Sequence, residues 1–322
     1  MRPPSPVLLE VTHETRYRYA APVSLAHHLA HLRPLVDAHQ ALLEHEMVVE
    51  PDGGACQHGV DSHGNACSWF SQVQPHDHLT VRSRSRVSLL PRFAALDAAR
   101  SPAWDELATR LRYVARAPFD PAVEYALPSP YVPRLEALRV YAAPSFPPGR
   151  PVAQGAIELM QRIHADFEYC SDSTQIDTPL AQAFAQKSGV CQDFTHLLAG
   201  AMRMLGLPVR YVSGYLLTRP PGEAVDMVGA DASHAWAQAY CPGTPGLPED
   251  GWLDLDPTNH LIPDTSHVRL AVGRDYGDVT PLRGVIRGGG RHALAVAVTT
   301  RLLEGSSGPD VAISLDEEKS RS

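Results

Sequence analysis

The sequence predicts an α+β protein in which a β-rich N-terminal region precedes a region of helices and strands. Three observations lead to this prediction. Residues 78–90 alternate apolar or small side chains with polar or basic ones, the two-residue period of a half-exposed strand. Residues 152–167 and 191–205 carry apolar side chains at the three- and four-residue spacing of buried helices. Strand-like segments follow the second helix as far as residue 302.

The first region is expected to be an antiparallel sandwich. Segments 7–20, 42–50 and 66–73 also have strand patterns, and the turn residues of "PDGG" and "DSHGN" separate them. The outer face of segment 78–90 carries a row of three arginines, for which we expect solvation rather than an acidic partner. These arginines are Arg82, Arg84 and Arg86.

Helix-start residues and a proline-rich stretch indicate where the chain divides into domains. Ser101 and Pro102 predict the N-cap and first residue of a helix, and a proline-rich stretch follows it. We therefore expect four parts. They are a β-rich domain (1–118), a proline-rich linker with a short helix (119–150), a second domain (151–302) and a loose polar tail (303–322).

Composition argues against several classes of partner. A net charge of -8, from 28 Lys and Arg against 36 Asp and Glu, gives no general attraction for nucleic acid or an anionic membrane. No apolar stretch approaches the roughly 20 residues needed to span a bilayer, and the start lacks a signal-peptide layout. We expect a cytoplasmic protein. The five cysteines are scattered and never form C-x-x-C, which argues against a disulfide scaffold or a zinc knuckle.

One cysteine has a distinctive position. In "GVCQDFTHL" Cys191 lies where a turn becomes a helix, and Thr178 with Pro179 opens a shorter helix before it. The positive end of the helix dipole and the unpaired N–H groups of the first turn favour a thiolate, which is a nucleophile. Most cysteines instead pack as small apolar residues, and position alone favours that interpretation.

A histidine and two aspartates follow in strand-like segments. His234 and Trp236 in "SHAW" share one face of a strand, so the indole could shield the imidazole from water. Asp254 and Asp256 in "GWLDLD" share a face of the next strand, and either could accept Nδ1–H of the histidine. Because residues two apart on a strand face the same side, the sequence pattern does not decide which aspartate binds the histidine. Each residue alone has a structural interpretation, but the order Cys, His, Asp favours catalysis.

These blocks carry a resemblance. Residues 151–300, through "GVCQDFTHLLAGAMRMLGLPVRYVSGYL", "ADASHAWAQAY", "GWLDLDPTNH" and "HVRLAVGRDYGDVTPLRG", are similar to the transglutaminase-like core, which has a papain-like cysteine fold. The first region, with "THETRYRYAAPV", "HLRP" and "DSHGN", resembles the β-rich region that precedes this core in a bacterial branch of the family.

The resemblance implies roles for three residues. Cys191 corresponds to the nucleophile, His234 to the general base and Asp256, rather than Asp254, to the orienting acid. It also implies acyl transfer or hydrolysis at amide or isopeptide bonds of a peptide or protein, through a thioester. Whether water or an amine resolves the thioester stays open. Supporting or cleft candidates are Gln192, Asp193, Asp231 and Trp236.

We expect neither a cofactor nor a required metal. Animal transglutaminases use calcium, but the sequence has no D-x-[DN]-x-[DN]-G loop. His27 and His31 are four apart and "HDH" occupies 76–78, but the strand and loop pattern there gives their side chains no common direction. His196 is expected to lie on the helix surface or to pack.

Two other functions are compatible with the sequence. The protein could be a catalytically degenerate scaffold in which the β-rich region binds a partner, although all three candidate residues are present. It could also be an unrelated α+β binding protein, which a large separation of Cys191 and His234 would support.

Overall fold

The computed structural model describes residues 5–52, 54–116, 118–218, 227–228 and 233–303. Its strands are β1 (Val7–Ala30), β2 (Gln40–Glu50), β3 (Gln57–Val60), β4 (Ala66–Gln72), β5 (His76–Leu89), β6 (Glu168–Tyr169), β7 (Ser188–Gly189), β8 (Val209–Leu216), β9 (His234–Tyr240), β10 (Trp252–Leu255), β11 (His267–Gly273), β12 (Leu282–Gly288) and β13 (His292–Leu302). Its α-helices are α1 (Trp104–Arg110), α2 (Glu136–Ala142), α3 (Val152–Asp166), α4 (Leu180–Gln186), α5 (Cys191–Arg203) and α6 (Tyr276–Val279).

A seven-stranded antiparallel sheet forms the N-terminal region; five of its strands have the order β2-β5-β1-β4-β3, and β12 and β13 also pair with β1. The long strand β1 changes partners along its length: its first half pairs with β5 and β13, and its second half pairs with β4 and β12. Register shifts between Arg18 and Leu25 mark the change. Irregular pairing of this kind bends a strand, so one segment can serve two parts of the sheet.

The two-residue period predicted for 78–90 is confirmed. In β5 the inward positions from Leu79 to Leu89 are buried, and Arg82 and Arg84 face outward. The arginine row is not merely solvated, because its members pair with glutamates of the neighbouring strands: Arg82 with Glu14, Arg84 and Arg86 with Glu10, and Arg86 also with Glu44.

Two features differ from the predicted division into domains. Residues 282–302, grouped with the second domain, form β12 and β13 and pair with β1 of the first sheet. Residues 119–150 are not a linker, because Val132, Leu138 and Phe146 are buried in the largest core cluster. Proline content marked irregular backbone there, but burial of these apolar side chains depends on contacts distant in sequence.

The second region is built around α5. Its sheet has the order β10-β9-β8-β11, and α2, α3 and α4 pack against the other sides of the helix. Nearly every residue of α5 is buried, in keeping with the apolar stripe seen in the sequence. The helix that begins at Cys191 is therefore held on all sides, and its first residue is fixed relative to β9.

The two sheets pack on each other. Leu9 and Val87 of the first sheet share a buried cluster with Tyr215 and Val268 of the second. The sandwich expected of the N-terminal region therefore has the sheet of the second region as one of its layers.

Two side-chain amides cover the free edge of β11. Gln40 donates to the carbonyl of Arg269 and accepts from its N–H, both at 2.8 Å. Asn65 makes the same pair of bonds to Val272, both at 2.7 Å. A register shift after Arg269 brings both positions to the outer edge. Each amide takes the place of a neighbouring strand, which satisfies backbone groups that would otherwise be unpaired.

Two predicted helix starts are shifted. α1 begins at Trp104, and the hydroxyl of Ser101 accepts instead from the N–H of Ala153 in the first turn of α3, at 3.0 Å. α4 begins at Leu180, after Pro179. The polar tail predicted from residue 303 lies outside the described residues beyond Leu303. Within the described chain, every helix is too short or too polar to cross a bilayer.

Candidate active site

Cys191 is the first residue of α5 and is partly exposed. The turn before it is fixed by Asp193, whose Oδ2 accepts from the backbone N–H of Val190 at 2.9 Å and from the hydroxyl of Thr174 at 2.6 Å. A carboxylate in the first turn satisfies an N–H that the helix cannot pair and interacts favourably with the helix dipole. Asp193 therefore holds the turn that presents the thiol.

His234, at the start of β9, lies between Asp256 and Cys191. Its Nε2 is 2.8 Å from Oδ2 of Asp256, and both residues are almost completely buried. The other ring nitrogen, Nδ1, is buried and has no hydrogen-bond partner within the described chain. Cys191 lies close enough to the imidazole to raise the pKa of His234. Cysteine, imidazole and carboxylate thus form a chain of contacts.

The sequence analysis expected Nδ1–H to bind the carboxylate, and this detail is wrong. Leu255 pairs with Ala237, so Asp256 lies farther along the strand direction than His234. The outer nitrogen Nε2 reaches the carboxylate, and Nδ1, which is nearer to the backbone of its own residue, does not. The geometry therefore assigns Nε2–H to Asp256 and leaves Nδ1 without a hydrogen-bond partner among the described residues.

The charges around His234 favour its protonated form. Burial alone lowers the pKa of His234, but Asp256 and then Cys191 outweigh burial and raise the pKa to about 10. Burial raises the pKa of Asp256, and the hydrogen-bonded imidazoles of His234 and His267 lower it well below its usual range. Each partner is stabilised in its charged form by the other. The arrangement can hold an imidazolium next to a carboxylate at neutral pH.

The two aspartates left open by strand parity have separate partners. Asp254 is buried and accepts from Nε of Arg269 at 3.0 Å. Asp256 lies beside the imidazole, and its Oδ1 accepts from the backbone N–H of Thr258 at 2.9 Å. Residue 254 therefore neutralises an arginine of β11, and residue 256 is the carboxylate that contacts the histidine.

Trp236 lies next to His234, as its position on the same strand face predicts. The two ring centroids are 6.1 Å apart with an interplanar angle of 26°, and the indole is completely buried. Gly214 on β8 makes room for it, since a Cβ there would lie 2.3 Å from the indole ring. The indole closes one side of the site to water.

Comparisons with known proteins identify the family and the fold. Residues 9–88 match the bacterial transglutaminase-like N-terminal region, and residues 144–257 match the transglutaminase-like superfamily. An uncharacterized protein of Mycobacterium tuberculosis is 38% identical over 279 residues, which cover 86% of each chain. The chain belongs to the transglutaminase-like superfamily.

Other relatives extend this result. An uncharacterized Mycobacterium leprae protein is 32% identical over 91% of this chain and 99% of its own length. A protein-glutamine gamma-glutamyltransferase of Pseudomonas aeruginosa is 32% identical over 111 residues, which cover 33% of this chain and 16% of that protein. The crystal structure of a candidate cysteine protease from Cytophaga hutchinsonii has a TM-score of 0.71 at 20% identity, covering 95% of this chain and 94% of that one. The predicted family and fold class are confirmed.

The transglutaminase-like site also contains residues that the sequence analysis missed. His267 begins β11, and its Nε2 is 3.2 Å from Oδ2 of Asp256, so two imidazoles share one carboxylate oxygen. Asn259 donates to the same oxygen at 2.9 Å. Both residues lie within or beside blocks that carried the family resemblance, but only the pairing of β11 with β8 brings His267 to the site.

Two tyrosines pack beside Cys191 in this transglutaminase-like fold. Tyr211 and Tyr276 share a cluster with the cysteine. Burial, and then the proximity of Cys191, raise the pKa of Tyr211, so its hydroxyl stays protonated. Tyr276 belongs to "GRDY", and its backbone N–H donates to Nε2 of His196 at 3.2 Å.

The remaining candidates have structural contacts. Gln192 is buried and donates to the carbonyl of Ile176 at 3.0 Å, which secures the loop before α4. His196 is buried and packs against aromatic rings, so the packing expectation is confirmed and the surface alternative is wrong. Asp231 lies outside the described residues.

Metal-binding atoms come together in two places among the described residues. Within each group, the potential ligand atoms lie within 4.8 Å of one another. The groups are His234, Asp256 and His267, and His31, Asp61 and Cys67. In the first group the carboxylate already accepts hydrogen bonds from both imidazoles. The second group lies in the N-terminal region.

Proposed function

We propose that this protein is a cysteine-dependent acyl-transfer enzyme acting on amide or isopeptide bonds of a peptide or protein. The observation that carries the proposal is the buried imidazole of His234, which bonds Asp256 through Nε2, keeps Nδ1 unpaired among the described residues and has a pKa raised by nearby Cys191. An activated nucleophile needs such a base and such an orienting group. The 32% identity to a protein-glutamine gamma-glutamyltransferase over 111 residues supports the same chemistry.

In the proposed reaction, Sγ of Cys191 forms a bond to the carbonyl carbon and the electron pair of the carbonyl moves to oxygen. The tetrahedral species collapses, the C–N bond breaks, and His234 gives its proton to the leaving amine. Water or a second amine then attacks the thioester, gives a proton back to His234 and releases the thiolate. The backbone N–H of Cys191 is a donor for the oxyanion, because it belongs to the first turn of α5.

Three features would assist these steps. Asp256 keeps the ring orientation and stabilises the imidazolium. His267 and Asn259 hold the carboxylate in place and are positioning residues. The buried indole of Trp236 lowers the access of water, which strengthens the charge interactions around the ring.

The proposal can be tested before a natural substrate is known. An activated acetyl ester needs little recognition, so we expect it to acetylate Cys191 of the purified full-length protein, and peptide mapping to locate the acetyl group. Cys191→Ala should abolish the modification, and Cys170→Ala, which removes an exposed thiol in a neighbouring loop, should not. Adding a primary amine separates the two outcomes, since faster loss of the acetyl group indicates that an amine reaches the thioester.

The alternative is a catalytically degenerate scaffold. Acetylation of Cys191 at the same rate in the wild type and in His234→Ala would contradict the acyl-transfer proposal and favour the scaffold.

A further inference from the structure

A second cluster of side chains lies at the edge of the N-terminal sheet. His31 follows β1, Asp61 begins the turn between β3 and β4, and Cys67 lies in β4. One nitrogen, oxygen or sulfur atom from each lies within 4.8 Å of the others. His31 is 1% and Cys67 2% exposed, and the side chain of Asp61 is 19% exposed, which leaves solvent a route to the cluster.

The hydrogen bonds of His31 determine what its second nitrogen can do. Nδ1 is 3.1 Å from the carbonyl oxygen of Thr280, and a carbonyl only accepts, so Nδ1 carries the hydrogen. In the neutral ring Nε2 then presents a lone pair. Nε2 is buried without a hydrogen-bond donor among the described residues, and it faces Oδ2 of Asp61 at 3.3 Å. Two acceptors that face each other with little solvent around them are stabilised by a cation between them.

That cation is either a proton, which makes an imidazolium, or a metal ion. Three points favour a metal. Nδ1–H bonded to a carbonyl is the usual outer contact of a metal-binding histidine. The separation of Nε2 and Oδ2 matches two ligands bound at about 2.0 Å to a tetrahedral ion, which lie about 3.3 Å apart. Sγ of Cys67 is a third potential ligand within 4.8 Å of these atoms, and its thiol otherwise makes only a weak bond, to the carbonyl of Asn65 at 3.5 Å.

We propose that His31, Asp61 and Cys67 form a binding site for a zinc-like divalent transition metal. Imidazole, carboxylate and thiolate are together a typical zinc donor set, and solvent would supply the fourth ligand. Binding replaces the thiol proton of Cys67, which leaves to water. The sequence analysis considered His31 together with His27 and expected no metal, because the strand and loop pattern gives their side chains no common direction. His27 is exposed and bonds Ser71 instead, and strand pairing brings the other two ligands.

Hydrogen bonds hold the carboxylate of Asp61 in an orientation suited to binding a metal. Oδ1 of Asp61 accepts from the N–H groups of His63 and Asn65 at 2.8 and 2.9 Å, and Oδ2 accepts from the amide of Asn65 at 2.8 Å. One lone pair of Oδ2 remains in the direction of His31. Hydrogen-bonded carboxylates of this kind are held in position before a metal binds.

The site would support the segment that carries Tyr276. Three contacts join this cluster to residues 272–280. In the turn that contains Asp61, Nε2 of His63 lies 3.3 Å from Asp278 and the side chain of Asn65 bonds Val272. The third contact is the bond from His31 to Thr280. A metal would therefore fasten the segment 272–280 to the N-terminal sheet. The proposed acyl transfer does not involve this metal. An experiment can therefore contradict the metal site without contradicting the acyl transfer, and the reverse.

Cobalt(II) is a suitable probe, because a thiolate ligand gives it an intense near-ultraviolet charge-transfer band. Full-length protein is freed of metal with a chelator and titrated with Co²⁺, and then with Zn²⁺. Cys191 and His234 could also bind cobalt, so the titration uses Cys191→Ala as the parent. We expect a charge-transfer band that saturates at one Co²⁺ per chain and is displaced by Zn²⁺.

Substitution of the ligands decides the assignment. Cys67→Ser in the same parent should lose the thiolate band, and His31→Gln should weaken binding at least tenfold, whereas Cys241→Ser, at another buried cysteine, should change neither. Zn²⁺ should raise the thermal unfolding midpoint of the parent and leave that of His31→Gln unchanged. If a ligand variant fails to fold, as judged by circular dichroism, the parent and the other variant still decide. No saturable band in the parent, or a band that survives Cys67→Ser, overturns the proposal and leaves the imidazolium pair.

Discussion

The alkylation of Cys191 across pH should show whether His234 controls the thiol. The pKa of His234 is raised to about 10, so its ring keeps its proton as the pH rises from 6 to 8. Asp256 stays ionised over the same range, because its pKa is lowered. The charges next to the sulfur therefore do not change, and a thiolate held by them should react with iodoacetamide at a nearly constant rate.

His234→Ala removes the imidazolium and should leave ordinary thiol behaviour. A free cysteine has a pKa near 8.5, so its thiolate fraction rises about 75-fold between pH 6 and pH 8. We expect that rise in the variant and less than about a threefold change in the wild type. The slope is a better measure than the rate at one pH, because a stabilised thiolate is also a weaker nucleophile.

Peptide mapping by mass spectrometry follows each cysteine separately, and exposed Cys170 on the same molecule is the internal reference. Circular dichroism checks that the variant folds. A wild-type profile that climbs as steeply as that of His234→Ala would refute the proposed thiolate and imidazolium pair.

Other predictions concern the packing and the pH dependence. Gly214→Ala places a Cβ 2.2 Å from the carbonyl oxygen of Val268, so urea denaturation should show a loss of about 3 kcal/mol, and an unchanged midpoint would contradict the packing described. Burial lowers the pKa of His13 to about 4 and that of His196 to about 3. The unfolded chain then binds more protons below pH 6.5, so stability should fall from pH 7 to pH 5 by about 2 kcal/mol for each histidine, and a flat profile would count against their neutral burial. His267→Leu removes a donor to the site carboxylate, so the pH below which Cys191 loses rapid alkylation should rise by about one unit, and His267→Gln should shift it less.

The local sequence pattern was sufficient to predict the helix and the strand that carry Cys191 and His234. The apolar stripe of α5 predicted that Cys191 opens a buried helix, and the strand "HAWAQAY" predicted that His234 and Trp236 share a face. These features depend on residues only a few positions apart, whose side chains have fixed directions in a helix or strand. The family resemblance added Asp256, which strand parity alone did not distinguish from Asp254.

Local pattern failed where the contacts were distant in sequence. The proline-rich segment 119–150 contributes buried residues such as Leu138 to the core, and β13 pairs with β1 although nearly 300 residues separate Leu302 from Leu9. Ser101 was expected to cap its own helix and instead bonds Ala153 of α3. In each case the pattern around the residue was recognised, but the residue that it contacts lies far away in the sequence.

The sequence by itself determined the class of the protein, the helix that presents Cys191 and the strand that carries His234. Only the tertiary structure decided which nitrogen of His234 binds the carboxylate, that His267 shares that carboxylate, and that Asp61 and Cys67 meet His31. The reason is physical. Periodicity sets the direction of a side chain relative to its own backbone, whereas the atom that it meets depends on strand register and on packing between elements far apart in the chain.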